Sequence, residues 1–311
     1  MTGTKDVSCT ADKSCSEATG VQQRLMKALR FAVEAGECTP AFASAVGHLL
    51  EEGDAFAQDE AVRVAHLVHR VMRAEANIDG ADLSQTMRAP DIQVGREGIE
   101  RFELPKNVPS EVEFFRDLVH DRRSTPVFDF TPLSLQKLST ALSLSFGNKG
   151  FSRAYQRRDI PRRVLPSAGG LQSFDIQVII NNVDSLDPGI YHYDPIDHTL
   201  VLAEIGNFRT RIVETSFGAN WLMHAQAVIG IVGNFDRVAW KYGSRGYRYM
   251  GLDAGVACGQ VYLAAASMNL AVNAVAGFQD DAVNSLLRLD GRDHFIQLLV
   301  AIGNKPGVSD T

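Results

Sequence analysis

Residues 166–183 read PSAGGLQSFDIQVIINNV, a proline- and glycine-bearing turn that runs straight into an apolar, β-branched stretch. From Phe174 to Val183 the composition is that of a strand covered on both faces. Its flanks therefore decide the fold class. Downstream, GIYHYDPIDHTLVLAEI (189–205) predicts two strands joined at Asp194 to Asp197, where Pro195 supplies a turn. Ala227 to Val232 predicts another buried strand, and Phe295 to Ile302 (FIQLLVAI) the last one. Helices fall between them. Ser134 followed by LQKLSTALSLSFG predicts a helix capped by Ser134 and ended at Gly147. Tyr249 to Leu270 predicts a long helix, rich in small residues and apolar nearly all round, as suits a central or subunit-interface element. Asp280 or Asp281 caps a further helix through Leu289. This alternation predicts a domain of mixed α and β structure.

Upstream the pattern changes. Residues 1–20 are polar and aperiodic, as expected of a disordered tail. Val21 to Asn77 carries apolar residues at helical spacing, predicting two or three helices broken near Gly36 to Pro40 and at Gly53 and Asp54. Asp79 to Pro109 is punctuated by Gly and Pro like a connector. The expected division is thus a tail (1–20), a helical N-terminal region with its linker (21–100) and a main domain (101–311). Over the 311 residues, 45% apolar and 22% charged residues argue for a folded chain. A net charge of -6, with Lys and Arg read as scattered, argues against nucleic acid as a partner. The polar N-terminus is no signal peptide and no stretch is long and apolar enough to span a bilayer, so the expected location is cytoplasmic. Cys9, Cys15, Cys38 and Cys258 match neither a zinc pattern nor a disulfide framework, which agrees with a reducing compartment.

Four polar clusters remain once the apolar framework is set aside. Arg122, Arg123 and Ser124, in HDRRSTPVF shortly before the capped helix, suit a phosphate or form a solvated basic loop. The turn from Pro166 to Gln172 brings backbone close to a planar or anionic ligand, or is only a tight entry into the strand. It is neither a P-loop nor a GxGxxG fingerprint. Lys241 and Tyr242, in WKYGSRGYR (240–248), sit between a buried strand and the long helix. A lysine partly desolvated there loses basicity and becomes a base near neutral pH; the plainer reading is ion pairing to Asp236 or Asp253. Ala276 and Gly277, in AGFQD, form a turn before a helix that suits an anion or is an ordinary cap. The eight histidines show no HExxH or HxH arrangement, so no metal site is expected. With GxSxG missing, a serine hydrolase is not expected either.

Together and in order, RRS (122–124), PSAGGLQSFDIQV (166–178), PGIYHYDP (188–195), KYGSRGYRYMGLDAG (241–255) and AGFQDDAVNSLLRLD (276–290) resemble the nitroreductase-like flavoproteins, and more closely their SagB-type branch, the FMN-dependent azoline dehydrogenases. The resemblance covers about residues 108–305, and residues 1–100 match nothing in it. It implies a homodimer of nitroreductase-like α+β fold, a mixed sheet flanked by helices, with FMN at the subunit interface. By this resemblance Arg122 and Ser124, with Arg123 beside them, hold the FMN phosphate and ribityl chain. Ser167, Gly169 and Gln172 belong to a turn that reaches the flavin from the neighbouring subunit, Ala276 and Gly277 approach the flavin N5 and O4 edge, and Lys241 and Tyr242 are the catalytic pair. Many nitroreductases close the phosphate site with a late basic pair; here only Lys305 follows the last predicted strand.

The activity so implied is dehydrogenation of thiazoline or oxazoline rings to azoles in a ribosomally made peptide natural product, with a cyclodehydratase complex as a partner. Tyr242 as phenolate or Lys241 as neutral amine removes the Cα proton, and the cofactor takes the hydride. Two other readings stand beside it: an NAD(P)H-dependent nitroreductase or flavin reductase acting on small molecules, and a docking subunit of a peptide-modifying complex.

Overall fold

The structure, a computed structural model, describes His69 and residues 109–217 and 219–307. The expected tail (1–20), most of the helical region (21–100), and Cys9, Cys15 and Cys38 lie outside the described residues; His69 is helical and buried. The chain divides into two units, Met1–Glu75 and Ala76–Thr311, and the sheet with its helices belongs to the second.

Eight strands are present among the described residues. β1 (Asn148–Ala154) and β2 (Arg157–Arg163) form a separate hairpin. β3 (Phe174–Ile180), β4 (Gly189–Asp194), β5 (Thr199–Ile205), β6 (Ala227–Asn234), β7 (Leu270–Val275) and β8 (His294–Asn304) make one six-stranded sheet in the order β5-β4-β3-β6-β8-β7. Every neighbouring pair in it is antiparallel. The helices are α1 (Glu113–Asp121), α2 (Leu135–Phe146), α3 (Arg209–Thr215), α4 (Asp236–Tyr242), α5 (Arg245–Ser267) and α6 (Asp280–Leu286).

Side chains alternate faces along a strand, and the central strands are apolar on both. On one face Val178, Ile229 and Ile231 pack with Leu138 and Leu142 of α2 and with Ala257 and Val261 of α5. On the other, Val228, Val232 and Ile179 pack with Ile212 of α3, Leu222, and Val283 and Leu286 of α6. This is the α+β arrangement that the resemblance implies, with helices on both sides of a sheet that is antiparallel throughout.

Ser134 caps α2 as expected, its Oγ accepting the Lys137 amide, and Gly147 ends the helix. Other boundaries moved. α5 starts at Arg245 rather than Tyr249, and Leu270, expected at its end, opens β7. The cap of α6 is Gln279, without a side-chain hydrogen bond, in place of either aspartate. Part of the apolar surface of α5 is uncovered within the protomer, where Gly251, Leu252, Gly255, Val256 and Gly259 are exposed.

The hairpin β1–β2 overturns one reading of composition. Lys149, Arg153, Arg157, Arg158, Arg162 and Arg163 lie within it against the single acid Asp159, so these cations are massed, not scattered. Charge and Pro161 had masked the strands. Proline is tolerated here because an isolated two-stranded ribbon consists only of edges. Among the described residues no helix is long and apolar enough to cross a membrane.

Candidate active site

The turn after Leu165 is built from unusual backbone. Gly169, Gly170 and Gln172 have φ of 59°, 70° and 53°, a left-handed region that is nearly free for glycine and strained for glutamine. Asp253 of α5 holds it from beneath. This carboxylate, 5% exposed, accepts the Ala168 amide at 2.9 Å and the Ser173 hydroxyl at 2.7 Å. Burial raises the Asp253 pKa, while the hydrogen bonds from Ser173 and Ala168 work against the rise. Ser167 Oγ accepts the Gln172 amide at 3.0 Å. Arg237 of α4 donates to the Gln172 carbonyl at 2.8 Å and to both carboxylate oxygens of Asp175, at 2.8 and 2.9 Å.

Three polar tips converge on Gly169. A Cβ built there would lie 2.5 Å from Tyr242 Oη, 2.8 Å from Tyr155 Oη and 2.9 Å from Lys241 Nζ. Tyr155 Oη donates to the Gly169 carbonyl at 2.6 Å and accepts from Lys241 Nζ at 2.6 Å. The Lys241 ammonium lies 4.4 Å from the Tyr155 ring centre and 4.9 Å from that of Tyr242, within cation–π range. Trp240 meets the Tyr155 ring edge-on at 5.3 Å, and Tyr249 meets that of Tyr242 at 4.9 Å.

Tyr155 was not foreseen, for its only mark is conformational. Tyr155 and Gln156, at φ 52° and 62°, are the two-residue turn of the β1–β2 hairpin. That geometry normally selects Asn-Gly, and a bulky side chain there signals strain held for a purpose. Lys241 also departs from expectation. It is exposed, and hydrogen bonds to Tyr155 first and Tyr242 second raise its pKa, so it is an ammonium and not a desolvated neutral base. Nor does Asp253 pair with a cation of this cluster; its bonds go to the turn. An acid inside an apolar helix was the available signal.

The other cluster lies elsewhere. Arg122 is the C-cap of α1, so the RRS stretch follows one helix instead of introducing the next. Ser124 Oγ is 3.1 Å from Tyr262 Oη, which accepts the Ala274 amide at 2.9 Å, and the Arg122 guanidinium sits 5.6 Å from the Tyr262 ring centre. Arg123 donates to the carbonyls of His120 and Arg122, and Thr125 N donates to the Val272 carbonyl of β7 at 2.8 Å. Ala276 and Gly277 are exposed, just beyond β7. Lys305 Nζ donates to Asn269 Oδ1 at 2.9 Å.

One protomer thus carries two separate groups of candidate residues. Ser167, Gly169, Gln172, Lys241 and Tyr242 gather near the start of α5, and Arg122, Arg123 and Ser124 near its end. Tyr249 and Tyr262 mark the two ends and are thirteen positions apart in this helix, about 20 Å at 1.5 Å per residue. Among the described residues no group of three or more His, Cys, Asp or Glu is placed to hold a metal.

Comparison with known proteins agrees with this architecture. A nitroreductase-type protein of Methanocaldococcus jannaschii is 28% identical over 195 residues, which are 61% of this chain and 90% of that one. A solved nitroreductase-like structure from Anabaena variabilis superposes with a TM-score of 0.54 at 26% identity, over 64% of this chain; the match spans only 39% of the Anabaena chain. A chain of the Escherichia coli microcin synthetase McbBCD complex, solved with truncated pro-MccB17 bound, shares the fold with a TM-score of 0.58 at 19% identity, over 79% of this chain and 94% of its own length. Residues 119–304, more than half of the polypeptide, match the nitroreductase family model, and the chain belongs to that family.

Proposed function

We propose that this nitroreductase-family oxidoreductase binds FMN as a homodimer and dehydrogenates thiazoline or oxazoline rings to azoles in a ribosomally made peptide. The observation that carries the reading is the convergence of Lys241 Nζ and Tyr242 Oη, with Tyr155 Oη, on the bare Cα of Gly169. The fold shared with a chain of the microcin synthetase complex supports a peptide-modifying setting.

The residues present fit the cofactor. Arg122 and Ser124 offer a guanidinium and a hydroxyl on backbone tied to β7, a donor set that suits a phosphate and its ribityl chain. A Cβ at Gly170 would meet nothing within 4 Å, so a planar ring can approach the backbone there. Gly277 is similarly open, with only Phe217 near, at 3.9 Å. Bound FMN would supply the acceptor for the hydride lost from the substrate ring.

The two ends of α5 are too far apart to serve one flavin within a protomer, and a second copy removes the difficulty. Gly251, Gly255 and Gly259 form an exposed stripe where an added Cβ meets nothing within 4 Å, bordered by the exposed Leu252 and Val256. Two such helices can approach closely. Crossed antiparallel about Gly255, one copy's Tyr249 falls opposite position 261 of the other, so the Lys241 end of each meets the Arg122 end of its mate.

Within the site Tyr242, as phenolate, takes the Cα proton and becomes the neutral phenol. Lys241, held as an ammonium by Tyr155 and Tyr242, offsets the phenolate charge before the transfer. A base so placed contributes roughly 100- to 10,000-fold. The purified protein should be yellow and release FMN. Tyr242→Phe and Lys241→Ala should keep the flavin while the loss of two hydrogens per ring, read by mass spectrometry, disappears; normal turnover by both variants refutes the assignment. Family membership favours one competing reading, an NAD(P)H-dependent reductase of small molecules. Flavin bleaching by NADPH without peptide selects it. A docking role for residues 1–100 is tested by their deletion, which should abolish co-purification with a cyclodehydratase.

A further inference from the structure

The β1–β2 hairpin is attached to the domain at its two ends. At its base Val164 N donates to the Gly147 carbonyl at 2.9 Å, and at its tip Tyr155 reaches Gly169. Between these attachments an open cleft of about 450 Å³ runs under the ribbon, lined by Lys149, Ser152, Arg162 and Arg163 and, at its far end, by Ser167 and Gly169. Among the described residues no carboxylate lines it. The hairpin's own acid is engaged elsewhere, since Asp159 pairs with Arg157 at 2.8 Å.

Arg163 is the telling residue. Its guanidinium is largely withdrawn from solvent; burial first and Arg237 second lower its pKa, and the attraction of Asp175 and Asp194 makes up only part of the loss. Nη1 donates to the Phe146 carbonyl at 3.2 Å, but the buried Nε has no acceptor. A half-buried cation with an unmet donor is costly by itself, and an anion entering the cleft would relieve that cost. Lys149 and Arg162, both exposed, add charge at the same end.

We propose that this cleft binds a carboxylate of the peptide substrate, an Asp or Glu side chain set a few residues from the ring that reaches Lys241 and Tyr242. The spacing follows from the ribbon. From Lys149 to Ala154 along β1 is about 17 Å at 3.3 Å per residue, so an extended peptide spans it with about five residues. An elongated cleft with cations at one end and the reactive cluster at the other suits a chain carrying an acid better than a compact phosphate. The inference rests on the peptide-modifying reading, but its test does not use azole formation.

The test is fluorescence anisotropy with the full-length, FMN-loaded protein and a labelled peptide bearing four glutamates, against the same peptide with glutamines. The acidic peptide should bind at least about tenfold tighter at low salt, and the preference should fade as salt rises. Lys149→Gln combined with Arg162→Gln, both exposed positions that leave the fold alone, should erase the preference with the flavin-to-protein absorbance ratio unchanged. Equal binding of the two peptides, or a preference that survives the double variant, overturns the proposal. Loss of flavin in that variant would give the cations to the FMN phosphate, and displacement of the peptide by micromolar NADP would give them to a nucleotide; either result also overturns it. If the glutamate preference holds but no peptide is ever dehydrogenated, the azoline reading alone has failed.

Discussion

The two ends of α5 are stabilised in opposite ways. Near Tyr262 the Arg122–Ser124 segment is held by main-chain bonding to β7 and by a hydroxyl pair, with ordinary backbone throughout. Near Tyr249 the Gly169 turn and the Tyr155 turn both depend on left-handed residues, and side chains hold them: Asp253 from below and Tyr155 from above. Strain of this kind persists only where surroundings over-determine it, and it gathers where groups must be aimed. The contrast bears on the function proposed above, under which the first end holds a ligand and the second positions reacting atoms.

The largest effect should come from Gly169→Ala. An alanine Cβ would fall within 2.9 Å of Tyr242, Tyr155 and Lys241, and the left-handed φ adds roughly 1–2 kcal/mol. Turnover should drop at least about 100-fold, with a lowered melting temperature; an unimpaired variant would dissolve the distinction between the ends. Next is Gly255→Leu, which meets open space within the protomer. Its stability as a monomer should stay within about 0.5 kcal/mol, whereas light scattering should report half the mass and flavin content should fall about tenfold. A dimer that survives with its flavin would show that the two ends are not joined through this stripe.

Tyr155→Phe keeps the ring against Trp240 and removes the hydroxyl that bridges Gly169 and Lys241. Turnover should fall about tenfold with flavin retained. The pH dependence has a definite sign. Tyr155 and Tyr242 raise the folded-state pKa of Lys241 above its ordinary 10.5, so this contribution to stability is complete below that value and fades as pH rises through the raised one. Thermal melts above pH 10.5 should therefore separate wild type from Tyr155→Phe less than melts at pH 8. The smallest effect belongs to the other end. Ser124→Ala leaves Tyr262 its bond to the Ala274 amide, and flavin binding should weaken about threefold to tenfold by titration while kcat is unchanged. A fall in kcat would blur the division between holding and positioning.

Much of the framework was legible in the chain itself. β3, β4, β6 and β8 announce themselves because buried strands need unbroken apolar or β-branched runs, the largely exposed edge strand β5 because the Pro195 turn sets its apolar run beside β4, and α2 because Ser134 and Gly147 mark its ends by local chemistry. The hairpin was not legible: its strands bury little and carry charge and Pro161 where apolar alternation is the usual sign. β7 was not foreseen: its first residue, Leu270, fell at the end of the predicted helix, since LAVNAV continues the same small apolar texture and only the turn at Met268 and Asn269 separates them.

Local residue chemistry by itself thus determined most of the strands, the capped helix and the polar clusters that family resemblance could interpret. Only the tertiary structure decided which of those groups meet. Tyr155 lies 86 positions before Lys241 and Asp253 lies 85 after Ala168, separations across which no local pattern acts. The path of the hairpin over the Gly169 turn and the packing of α5 beneath it bring them together. That same path set Lys241 in contact with two phenols instead of an apolar wall, and so reversed the direction in which its basicity was expected to move.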